Sequence, residues 1–257
     1  MAPTPADFDR EFAAAAKSAA YSRIAREASG DDYADDAEPF SFTTRSELDL
    51  IAGLLEIGSG LTLVDIACGQ GGPGLWVARS AGAHLIGVDF SPVGVTQAQN
   101  RAAAMGLSNR ARYVVADAAA TGLPSGHADA AMSIDALQFM PDKAAVLVEV
   151  RRILRPNARF ALTTWEPSES VPDAPENPND RPLRTLLEGA GFSIERYEVT
   201  PAWRRFAKAL YEGWLREKET LVAEMGAESY AALEEEATSL LPKLDHEERV
   251  LIVSRAV

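Results

Sequence analysis

The chain has 257 residues, 47% of them hydrophobic, and a formal net charge of −13. That length and apolar content can bury a full core as one domain with an elaboration, which excludes a disordered chain. The acidic balance repels phosphate backbones and anionic lipid, so neither nucleic acid nor a membrane is an expected partner, and a neutral or cationic small molecule suits better.

Met1 to Pro5 lacks a basic region followed by an apolar run, and no stretch approaches the ~18 apolar residues of a membrane span, so a cytoplasmic location is expected. The single cysteine, Cys68, excludes an internal disulfide and a cysteine-based metal site. His84, His127 and His246 are scattered without ligand spacing, so no metal is expected.

In chain order, a helix beginning near Ser46 precedes an apolar, β-branched run, Leu61 to Ala67, which reads as a strand. Its end carries Val64-Asp65-Ile66-Ala67-Cys68-Gly69-Gln70-Gly71-Gly72, where an acidic residue passes into a glycine loop and a helix starting near Pro73. Glycines let backbone turn sharply or approach a ligand, and the helix start aims unpaired N–H groups at the same place. Cys68, inside this loop, reads as a small packing residue. Gly69 to Gly74 also spells G-x-G-x-x-G, so the loop alone does not choose between a nicotinamide cofactor and another adenosyl ligand.

The second strand, His84 to Val88, ends at Asp89, and Ser91-Pro92 opens an alanine-rich helix to Met105. Strands follow at Ala111 to Ala116, ending at Asp117, and at Ala128 to Ile134, ending at Asp135. Helix Asp142 to Leu154 leads to a fifth strand, Arg159 to Thr164. Glu166 to Pro182, rich in proline, reads as a long loop or lid over the strands' carboxyl ends. Helix Arg181 to Ala190 and strand Phe192 to Thr200 come next, then about fifty residues of helical periodicity read as a hairpin, and a short terminal strand, Leu251 to Val257. Such alternation implies right-handed crossovers and an α/β, doubly wound, seven-stranded, mostly parallel sheet. Three parts are expected: an N-terminal cap over residues 1–45, a core over 46–200 and 247–257, and a helical insertion over 201–246 between strands six and seven that serves as a substrate lid.

Asp89 follows Gly69 by twenty residues, the spacing at which a strand-end carboxylate accepts hydrogen bonds from ribose hydroxyls. Asp65 discriminates further. A carboxylate lining the loop repels a pyrophosphate and welcomes an ammonium. S-adenosylmethionine carries an ammonium, a carboxylate and a sulfonium but no phosphate, and its carboxylate can still meet the helix start.

Four motifs in order carry a resemblance to the class I S-adenosylmethionine-dependent methyltransferases, in particular the small-molecule branch of ubiquinone and menaquinone biosynthesis and bacterial natural-product tailoring. They are Val64 to Gly71, Gly87-Val88-Asp89-Phe90-Ser91, Ala116-Asp117-Ala118 followed by Leu123-Pro124, and Ser133 to Asp142, within residues 45 to 165. The resemblance implies a Rossmann-like methyltransferase fold with S-adenosylmethionine as cofactor and S-adenosylhomocysteine as product. It assigns Asp65, Ala67, Gly69 and Gly71 to the methionine end, Asp89 and Phe90 to the ribose, Asp117 and Ala118 to the adenine, and Ile134 and Gln138 to the flanks of the sulfonium. Many relatives have histidine where Gln138 stands, so a base role does not transfer.

Similar enzymes fold their N-terminal segments over the cofactor, which makes Tyr21, Tyr33, Phe40 and Phe42 cap candidates. Phe139, Trp165 and Trp203 complete the expected substrate pocket. Methyl transfer needs alignment and exclusion of water more than acid–base chemistry, and a base only for the harder nucleophiles. Glu166, after the fifth strand, and His246, at the end of the insertion, are the catalytic candidates. The expected activity is O-, N- or C-methylation of a small molecule in secondary metabolism, by a monomer or homodimer. The alternative is a protein of this fold that binds the cofactor yet catalyses a cyclisation or serves as a non-methylating binding module.

Overall fold

β1 (Thr62–Ile66) is covered on both sides, Leu63 packing on one face and Val64 and Ile66 on the other. Burial on both faces explains why its sequence is apolar at Leu63, Val64 and Ile66 instead of alternating, with Asp65 the exception. The computed structural model describes residues 3–168 and 182–257. β2 (His84–Asp89), β3 (Ala111–Val115), β4 (Ala128–Ile134), β5 (Leu154–Pro167), β6 (Phe192–Val199) and β7 (Glu247–Ala256) join β1 in one sheet of order β3-β2-β1-β4-β5-β7-β6. Strands β1 to β5 pair in parallel, and β7 runs antiparallel between β5 and β6.

The expected doubly wound, mostly parallel sheet is what forms. Its strand order reverses between β1 and β4, which opens a crevice at their carboxyl ends. On one face lie α3 (Arg45–Leu54), α4 (Gly72–Ala81) and α5 (Pro92–Ala104), through Leu48, Ile51, Leu75 and Ala102. On the other lie α6 (Lys143–Ile153) and α7 (Leu183–Gly189), through Leu147, Val150 and Leu187.

Two strands exceed their expected lengths. β5 reaches Pro167, so Trp165 and Glu166 are strand residues opposite Arg249 and Glu248 of β7. β7 begins at Glu247, four positions before the apolar run at Leu251, because buried carboxylates neutralise Arg249 within the strand. Of the lid loop expected over Glu166 to Pro182, residues 169–181 lie outside the described residues.

A third apolar cluster stands above the crevice. Three helices, α8 (Trp203–Arg216), α9 (Lys218–Met225) and α10 (Ala227–Leu240), replace the expected two-helix hairpin, the chain turning at Glu217 and again at Gly226, whose φ of 88° favours glycine. They pack on α2 (Ala19–Ser29) through Ile24, Leu210, Tyr211 and Trp214. The first helix, α1 (Pro5–Ala15), is fixed by a capping box in which Thr4 accepts from the Asp7 backbone N–H and the Asp7 carboxylate accepts from Thr4.

Candidate active site

The carboxyl ends of β1, β2 and β4, together with α1, α2, α8 and α10, enclose a cavity of about 950 Å³. That is at the upper end of the ~300–1,000 Å³ usual for small-molecule sites, which leaves room for two ligands side by side.

Its floor is the glycine loop. Ala67 adopts φ 55°, a left-handed conformation costly for a side-chain-bearing residue, at the turn out of β1. Gly72 lies under the strap joining α2 to α3, where a Cβ would come within 1.8 Å of the Ala37 carbonyl oxygen. Gly74 covers Asp65, and a Cβ there would meet Oδ2 at 2.4 Å. These two glycines are required by close approach, one to the cap and one to the buried carboxylate.

Asp65 is 2% exposed, and its Oδ2 has no hydrogen-bond partner. Burial, reinforced by the charge of Asp89, pushes its pKa up to about 8. Asp89 is also held above the usual carboxylate range by burial, although the N–H groups of Ser91 (2.8 Å) and Gly69 (2.7 Å) donate to it. The same burial raises the Cys68 thiol, in keeping with a packing role. Among the described residues none of the lining side chains is Lys, Arg or His, whereas aspartates and glutamates enter from the floor, the strap, α1 and α10.

Every residue expected at the cofactor lines this one cavity: Asp65, Ala67, Gly69, Gly71, Asp89, Phe90, Asp117, Ala118, Ile134 and Gln138. Asp117 is exposed toward it and accepts from the Ala119 N–H at 2.7 Å. Gln138 is locked at both ends, donating to the Asp135 carbonyl (2.7 Å) and accepting from Thr164 Oγ1 (2.9 Å). Among the expected substrate residues Tyr21, Phe40, Phe42 and Phe139 also line it.

Tyr33, Trp165 and Trp203 do not. Tyr33 is buried in the helical cluster beneath the Arg26 guanidinium. Trp165 and Trp203 pack edge to face at 4.8 Å behind Phe42, so they support the wall without reaching the space. The two catalytic candidates are also elsewhere. Because β5 extends past its expected end, Glu166 becomes a strand residue outside the cavity lining, where the Tyr197 hydroxyl and the Leu183 N–H donate to it. His246 precedes β7, and its backbone is tied to Lys243 and Ser168.

Residues that sequence reasoning passed over form the roof and cap. Phe8 of α1 lies 5.5 Å from Phe90 and 5.6 Å from Phe139, ring centre to ring centre, and Phe12 meets Phe40 at 5.1 Å. The Phe12 carbonyl accepts from Gln97 and Gln70 side chains, which fastens α1 over the loop. The signal was present: Thr4-Pro5 with Asp7 marks a helix start, and Phe8 and Phe12 are four apart. From α8 and α10, Leu210 and Trp214, which the helical periodicity of the insertion marks in the sequence, line the cavity together with Glu236, which no local motif marks.

Below the site sits a buried ion network. Asp135, in a left-handed conformation after β4, accepts from Arg249 Nε (2.8 Å) and Nη2 (3.0 Å), Thr163 Oγ1 (2.9 Å) and the Phe42 N–H (2.9 Å). Arg249 also holds both oxygens of Glu47 at 2.8 Å. Burial works against the guanidinium charge, and Asp135 and Glu47 more than offset it. The network fixes Phe42 and Gln138 at the cavity wall through Asp135.

Comparison with known proteins fits this geometry. The family model described as a methyltransferase domain matches residues 64–162. Tocopherol O-methyltransferase of Arabidopsis thaliana is 37% identical over 103 residues, 40% of this chain and 30% of that protein. The 27-O-demethylrifamycin SV methyltransferase of Amycolatopsis mediterranei (strain S699) is 30% identical over 128 residues, 50% of this chain and 47% of that protein. The chain thus covers less than half the length of these curated relatives. In overall fold it is similar to the cyclopropane synthase MmaA2 of Mycobacterium tuberculosis, at a TM-score of 0.76 and 18% identity over 99% of both chains. It is likewise similar to the [4+2]-cyclase SpnF, at 0.70 and 24% identity over 81% of this chain and 80% of that one. Residues 64–162 thus match a methyltransferase-domain model, and the sheet and the loop at its switch point have the Rossmann-like fold of these solved structures.

Proposed function

We propose that the chain transfers a methyl group from S-adenosylmethionine to a small-molecule acceptor. The observation that carries this reading is the acidic lining of the cavity, to which carboxylates contribute from several elements and, among the described residues, no Lys, Arg or His does. A pyrophosphate-bearing dinucleotide would meet repulsion there, whereas a ligand with an ammonium and a sulfonium is drawn in. Asp65 lines the floor of the cavity as a buried carboxylate with no cation beside it among the described residues, which fits an ammonium.

Asp65 and the loop from Ala67 to Gly71 would hold the methionine end, Asp89 with Phe90 the ribose, and Asp117 with Ala118 the adenine. Ile134 and Gln138 would flank the sulfur. When bound, S-adenosylmethionine supplies a methyl group on a good leaving group. The chain contributes alignment and dryness: Gln138 is held in one orientation by Asp135 and Thr164, while Phe8, Phe12 and Phe40 close the cavity from the α1 side. The tocopherol and rifamycin relatives act on small molecules by their names, which supports an acceptor of that class.

Isothermal titration with S-adenosylhomocysteine tests the reading. Saturable one-to-one binding, lost in Asp117→Ala and Asp89→Ala, is expected. A wild-type chain with no affinity for either form of the cofactor overturns it.

A further inference from the structure

The roof of the cavity contains a carboxylate with no assigned task. Glu236 of α10 lines the cavity, and its Oε1 accepts from the Tyr211 hydroxyl at 3.0 Å. Its Oε2 takes no hydrogen bond and no ion pair among the described residues. The groups that face it are Tyr211 from α8, Tyr21 from α2 and Glu11 from α1. Arg10, beside Glu11, is taken up by Asp7 (3.1 Å) and Glu228 (3.3 Å), and Lys218 by Glu234 (2.7 Å). Among the described residues no cation therefore answers Glu236. Around it, Phe40, Tyr21 and Trp214 stack in series at 5.7 and 5.8 Å, an apolar wall of aromatic faces.

Trp214 lines the cavity and is 3% exposed, so its ring is part of this wall. A carboxylate with one open oxygen, set among aromatic faces in a cavity with room for a second ligand, describes a partner that donates one hydrogen bond from an otherwise apolar body. A hydroxyl meets that description, and a carboxylate would be repelled by Glu236.

We propose that Glu236 is the general base for O-methylation of a largely apolar alcohol or phenol. This rests on the methyl-transfer reading above. In the step, an oxygen lone pair of the acceptor forms the new O–C bond as the S–CH₃ bond breaks. The electron pair of the broken bond stays on sulfur and cancels its positive charge, and the hydroxyl proton passes to Glu236 Oε2. The carboxylic acid so formed loses the proton to solvent before the next turnover. Burial, with the like charge of Glu11, sets Glu236 at about 7, where a base is both available and effective near neutral pH.

The experiment uses the full chain with S-adenosylmethionine and a panel of apolar hydroxyl probes, phenols and alcohols of one to four rings, with methylated product read by mass spectrometry. The wild type is expected to methylate at least one probe, with kcat/KM rising through a limb near pH 7. In Glu236→Gln, which keeps an acceptor for Tyr211, kcat is expected to fall roughly 10²–10⁴-fold and the limb to vanish. Titrated S-adenosylhomocysteine affinity should stay unchanged, and Glu236→Asp should restore part of the rate with the limb. A chain that binds the cofactor but methylates no hydroxyl probe overturns the assignment, as does a Glu236→Gln variant with wild-type rate or an unmoved limb. Absence of cofactor binding would instead bring down the methyl-transfer reading itself.

Discussion

Asp65 and Asp135 stand at the carboxyl ends of neighbouring strands, both buried and both lining the same cavity, yet their surroundings are opposite. Asp135 is met by four donors, two of them from a buried guanidinium. Asp65 has one oxygen without a partner, and its nearest charged neighbour is Asp89. A carboxylate already neutralised by its own chain has little to offer a ligand and instead holds the wall in place. One buried without a counter-charge is a cost to the fold that a cationic ligand can relieve.

The largest effect expected from this contrast is on stability. Arg249→Met should destabilise the chain by about 3–5 kcal/mol, because Asp135 and Glu47 are left buried without their cation. Chemical denaturation measures this, and adding Asp135→Asn to the same chain should recover part of the loss. If Arg249→Met costs nothing, the two carboxylates are not as different as their contacts indicate.

Asp65→Asn should do the reverse. Cofactor affinity is expected to drop roughly 10- to 100-fold, about 1.4–2.8 kcal/mol, with folding stability at pH 8 unchanged or improved. Calorimetry and denaturation on one sample separate the two effects.

A smaller effect concerns pH. The folded chain keeps the Asp65 proton up to about pH 8, whereas the unfolded chain releases it near the ordinary value of 3.8. The stability this group contributes is therefore complete below pH 3.8 and declines as pH rises toward 8, most steeply between the two values. Binding of a cation should expel the proton, so titrations near pH 7 in buffers of different ionisation heat should reveal proton release that Asp65→Asn abolishes. Smallest of all, Glu166→Gln should leave cofactor affinity and turnover within about twofold, since that carboxylate is spent on Tyr197 and Leu183 outside the cavity lining.

The floor was legible in the sequence because it is local. Leu63 to Ile66 form an apolar run, the glycines follow within a few residues, and the spacing from Gly69 to Asp89 is set by one helix and one strand. The wall and roof are built from pairs far apart in the chain. Arg249 lies 114 positions from Asp135, and Glu236 becomes meaningful only because α10 folds back beside α1 and α8. Glu166 drew attention by its place after the fifth strand, and the extended pairing between β5 and β7 turned it into a strand residue outside the cavity lining. Tryptophans show the same limit: Trp165, Trp203 and Trp214 are alike large and apolar in the sequence, and only packing decides which of them meets the cavity.

The Asp135 network also orders events in time. The carboxylate receives the Phe42 amide from the strap before β1 and the Arg249 guanidinium from β7. During synthesis from the N-terminus, the motif-bearing core from β1 to β4 can collapse early, through contacts close in sequence. The wall at Phe42 is pinned only after residue 249 has left the ribosome. A nascent chain shortened before β7 would therefore present the glycine loop without a finished pocket, so that ligand selection follows the cofactor loop in order of formation.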